Sequence, residues 1–267
     1  MNPSQFTLPE RIVVELQPGA DIRLATGMAA RLARIFGCKI KGVFIEDVRL
    51  QELAELAIAM EISIIDRQLR TLHAAALPTE LRRSQEAARR DFEALAMELE
   101  VEVELEVARG SPRASSEMQP DDILLAGAAL DRAFHESLLE QISAAKVLGV
   151  AFPAARRPQW QGEVMAVLGS EPTRLRFDPL LRRITDAEQA ELEIDVAEDP
   201  LAALLQVVER AERSVARVRL PRMIVAETGL LDSPDARLLR SVIRRMGCPV
   251  LLINTDPSDT GKSRPAD

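Results

Sequence analysis

The side chains able to do chemistry are few and scattered along this chain. His135, Glu136 and Ser137 follow one another and invite a hydrolytic triad. Consecutive residues on a helix point in different directions and cannot relay a proton among themselves. No Gly-x-Ser-x-Gly elbow follows a predicted strand. Glu46 and Asp47, at the end of an apolar run, could hold a divalent cation or could be solvated loop carboxylates. With only two histidines and two cysteines, far apart, no zinc-like spacing exists. Thr260–Ser263 (TGKS) is a fragment of a phosphate loop, but Asp256 stands where its leading glycine should be and no helix pattern follows. Cys38 and Cys248 each sit beside a predicted strand in apolar surroundings and read as reduced core thiols. No catalytic or metal-binding constellation emerges, and the chain is not expected to be an enzyme.

Composition narrows the partners. A net charge of −8, no tyrosine, one tryptophan and seven phenylalanines argue against nucleic acid, which needs cations for phosphates and aromatics for bases. The arginine-rich stretch Leu81–Arg90 fits a solvated helix face, with Glu86 and Arg90 one turn apart. No apolar run approaches the ~20 residues that cross a bilayer. The start of the chain shows no basic patch followed by an apolar stretch, so a cytoplasmic location is expected.

The elements that must position any site alternate regularly. Arg11–Leu16 is β-rich, a helix pattern from Ile22 ends at Gly37, and Lys39–Ile45 is a second strand: a βαβ unit, and hence a parallel sheet. Leu50, Leu53, Leu56, Ala57, Met60 and Ile64 keep helical spacing, and a second helix follows a break near His73–Pro78. Val101–Val107 alternates valine or leucine with glutamate, the pattern of an edge strand with one wet face. Strands at Ile123–Ala126 and Lys146–Phe152 enclose a helix around Ala133–Ala145.

The order then restarts: Glu163–Leu168 parallels Arg11–Leu16, the helix at Arg174–Ala187 parallels the first, and Glu191–Val196 repeats the Val/Glu alternation. A helix at Leu201–Ser214, a strand at Arg222–Ala226, a helix at Asp235–Met246 and a strand at Pro249–Asn254 complete it. The second half lacks a βα segment matching Lys39–Leu99. The first half has only Ser111–Pro120 between its edge strand and the next, too short for a full crossover helix. The expected fold is therefore α/β, with two doubly wound parallel-sheet halves (residues 10–153 and an abridged 162–255) and a disordered tail over 256–267. Lys146–Phe152 and Pro249–Asn254 are apolar on both faces and carry no edge protection, so they are expected to pair antiparallel and make an internal pseudo-dimer.

PRMIVAETGL…LLRSVIRRMGCPVLLIN (Pro221–Asn254) resembles the closing unit of universal stress proteins. GVFIEDVRLQELAEL (Gly42–Leu56), the helix after it and VEVELEVARGSP resemble the first half of tandem bacterial relatives of that family. Nucleotide-binding members use Gly-x-x-Gly after the fourth strand and, roughly nine residues later, Gly-Ser at a helix start, so that backbone amides reach the phosphates. Here Gly127 matches the first glycine and Leu130 replaces the second, while Glu136-Ser137 stands for Gly-Ser; the second half offers Glu227, Leu230 and Ala236-Arg237. The family's aspartate after the first strand becomes Gln17, and Gly169 or Ser170 in the repeat. The resemblance thus implies a degenerate member with no resident cofactor. ATP is the nucleotide it would suggest, at a first-half cleft marked by Gln17, Gly127 and Ser137.

Three functions are open at this point. One is a non-catalytic regulatory or scaffold protein acting through protein contacts, for which Leu50–Ile65, apolar on more than one face, is either a partner surface or a buried lid. Another is a sensor of an adenine nucleotide or other small anion in the first-half cleft. The third, an enzyme, rests on fold analogy alone. Oligomers beyond the pseudo-dimer are open.

Overall fold

The computed structural model describes residues 8–16, 22–47, 60–62, 69–71, 77–110, 118–125, 147–153, 162–213, 221–227, 245 and 248–254. In chain order these form β1 (Arg11–Leu16), α1 (Ile22–Phe36), β2 (Lys39–Asp47), β3 (Met60–Ile62), β4 (Leu69–Thr71), α2 (Leu77–Glu98) and β5 (Val103–Gly110). Then follow β6 (Asp122–Leu125), β7 (Gly149–Phe152), β8 (Val164–Leu168), α3 (Glu171–Glu188), β9 (Leu192–Val196), α4 (Pro200–Arg213), β10 (Met223–Glu227) and β11 (Val250–Ile253).

Among the described residues, nine strands make one sheet in the order β5-β2-β1-β6-β7-β11-β10-β8-β9. Every neighbouring pair is parallel except β7 with β11. That antiparallel seam sets Val250 against Phe152, Leu251 against Ala151, Leu252 against Val150 and Ile253 against Gly149. The two unprotected apolar strands therefore satisfy each other's edges, as their sequences require. The two ends of the sheet are β5 and β9, whose alternating acidic residues suit an edge. On β5, Glu104 is exposed and Glu106 half-buried; on β9, Glu193 and Asp195 are exposed. Val107 breaks the expected alternation: it is exposed, while Val103 and Leu105 on the same strand pack against the core.

Side chains alternate between two apolar clusters, one per face. Ile12, Val14 and Leu16, with Val164, Ala166 and Leu168, pack with α1, α2 and α3. Val13, Val43, Met165, Val167, Ile224 and Ala226 pack with Leu201, Leu204 and Val208 of α4. The faces follow from handedness. Crossovers stepping outward (β1 to β2, β2 to β5, β8 to β9) carry helices on one side, and the returning β9-to-β10 crossover carries α4 on the other. The returning link of the first half, residues 111–121, is short, and its described part Met118–Asp121 contains no helix.

One expectation is corrected. The helical spacing that ran through Met60 gives way to an antiparallel hairpin, β3 with β4, whose register sets Glu61 opposite Arg70. The β-branched run Ile62, Ile64, Ile65 disfavours a helix there and suits a strand. The rest of Leu50–Ile65, including Leu53 and Leu56, lies outside the described residues, as do the expected helix at Ala133–Ala145 and, apart from the helical Arg245, the one at Asp235–Met246.

The helix ends show where local sequence is suboptimal. Gly37 closes α1 at φ +70°, where a glycine carries no Cβ penalty. Glu100 and Gln189 take the same left-handed conformation, at φ 54° and 49°, without being glycine. Gln189→Gly is expected to raise stability by about 0.5–1 kcal/mol, read as a higher urea midpoint with an unchanged slope. A lower midpoint would mean that the side chain contributes something its backbone conformation conceals.

Candidate functional site

In open α/β sheets ligands sit at the carboxyl ends of the strands, beside the strand where the order reverses. Those central strands are β1 and β8, and they are equivalent. Val14 faces Leu125 of β6 just as Ala166 faces Val225 of β10. In that register Glu15 corresponds to Val167. Gln17, Gly127, Ser137, Asp131, His135 and Glu136 lie outside the described residues, and so does Thr260–Ser263. β2 extends through Glu46 and Asp47, whose backbones pair with Arg109 and Gly110; these two residues are thus strand-borne, where a loop was expected.

The second-half corner is fully drawn. The Gly169 amide donates to Glu227 Oε1 at 2.5 Å. Ser170 caps α3, its Oγ accepting from the Thr173 amide at 3.3 Å. A Cβ on Gly169 would stand 3.5 Å from both Glu227 Oε1 and Pro200 Cγ. The Glu227 carboxylate, which stands at the first glycine position of the second half, thus occupies an amide that an anion would use. The Ser170 hydroxyl is engaged within its own helix turn.

At the first-half position equivalent to Val167 stands Glu15. Val167 is completely buried among the apolar residues that pack with α4. Glu15 is also buried, at 5% exposure, and among the described residues its Oε1 accepts no hydrogen bond. Burial alone pushes its carboxyl up to about 7. On the same face Lys41 pairs with Glu106 at 2.6 Å, and Arg11 forks onto Asp122 at 2.9 and 2.8 Å. A single acid inside an apolar strand looks like an outward-facing residue in the sequence; only its register match with Val167 of β8 marks it.

A second polar cluster joins the halves. Arg31 of α1 donates to Glu188 of α3 at 2.5 Å, and Arg222, just before β10, lies 3.7 Å from the other carboxylate oxygen and also donates to the Glu188 carbonyl. Arg183 donates to the carbonyls of Ile35 and Phe36 at 2.8 and 3.1 Å, completing the end of α1. Burial pulls the Arg31 guanidinium below its ordinary value, while Glu188 holds it up.

The cysteines are unpaired thiols, Cys248 buried and Cys38 half-buried. Burial pushes Cys38 up to about 11 and Cys248 up to about 12, so neither is a nucleophile at neutral pH. On α2, Arg82, Arg83, Arg89 and Arg90 are exposed and Arg89 pairs with Glu93, the solvated face expected of Leu81–Arg90. Among the described residues no group of three or more histidine, cysteine or acidic residues could hold a metal, and no helix is long and apolar enough to cross a membrane.

No family model matches the chain, and no curated protein matches it in sequence. Solved structures do. A protein provisionally called a universal stress protein, from Pseudomonas aeruginosa UCBPP-PA14, is 15% identical over 92% of this chain and 93% of its own, with a TM-score of 0.49. A protein of unknown function from Pseudomonas aeruginosa PAO1 is 13% identical over 92% of both chains, with a TM-score of 0.50. The mostly parallel nine-stranded α/β fold is thus one this chain shares, over nearly its whole length, with a solved bacterial protein.

Proposed function

We propose that this chain is a degenerate, tandem member of the universal stress proteins, acting without catalysis as a regulatory or scaffold protein through contacts with other proteins. The observation that carries the reading is the Glu227–Gly169 hydrogen bond. Where nucleotide-binding relatives leave room for phosphate, this chain sets its own carboxylate on the amide, and the resemblance of Pro221–Asn254 gives that corner its family meaning. A thermal-shift screen with ATP, ADP, AMP and cyclic nucleotides, with and without magnesium, tests it. No shift is expected. A ligand at ~100 times its dissociation constant adds about 2.7 kcal/mol, so a clear ATP-dependent rise in Tm would overturn the reading.

A further inference from the structure

We draw no further inference here: the strongest candidate, the outer face of α2 where Arg83, Glu86, Arg90 and Met97 stand exposed at helical spacing, carries nothing because exposed ion pairs are individually weak and nothing in the structure shows what covers that face.

Discussion

Gly149→Val is expected to cost about 3 kcal/mol or more, among the largest losses available from one substitution outside the apolar core. A Cβ at this position would meet the Leu252 carbonyl oxygen at 2.6 Å across the seam. The obstacle is backbone of the facing strand, so no rotamer change relieves it. The strands must separate or shift, and either exposes the ladder between Gly149–Phe152 and Val250–Ile253. Urea unfolding reads this as a fall in the midpoint, and an altered slope would report that the halves no longer unfold together. Gly149→Ala should show a lesser version. A midpoint unchanged by valine would mean that β7 and β11 do not meet in this register.

Glu188→Ala is expected to cost about 3–5 kcal/mol, because it strips the carboxylate from buried Arg31 and from Arg222 while leaving both cations in place. Their side chains are 8% and 18% exposed. Glu188→Gln keeps the shape and one acceptor oxygen and should lose less. The pair Arg31→Met with Glu188→Met should recover much of the loss, since replacing a buried ion pair with apolar side chains is often neutral. If E188A unfolds at the wild-type midpoint, the α1–α3 contact is not fixing the halves.

The sequence determined most of the described elements and their order. Short β-rich runs such as RIVVEL and EVMAVL, buried on both faces, read as strands, and Gly37 stopped α1 where its φ of +70° demanded. Even the seam was legible, because two strands apolar on both faces within one chain have few ways to bury their edges. The hairpin at Met60–Thr71 was not, since leucine and isoleucine at helical spacing and a β-branched run compete over the same few residues, and pairing between segments decided it.

The candidate site divides the same way. Gly169 and Glu227, 58 residues apart, were individually named from the resemblance, but their hydrogen bond depends on β8 and β10 lying side by side. The Arg31–Glu188–Arg222 cluster draws on two helices and a strand end from both halves, and nothing in local spacing announces it. Glu15 is the sharpest case. Its identity is in the sequence, but its burial and its counterpart Val167 exist only once the two half-sheets are laid in one register. Secondary structure follows from neighbours along the chain; the free energy of a charge depends on what surrounds it in space, and that is set by tertiary packing alone.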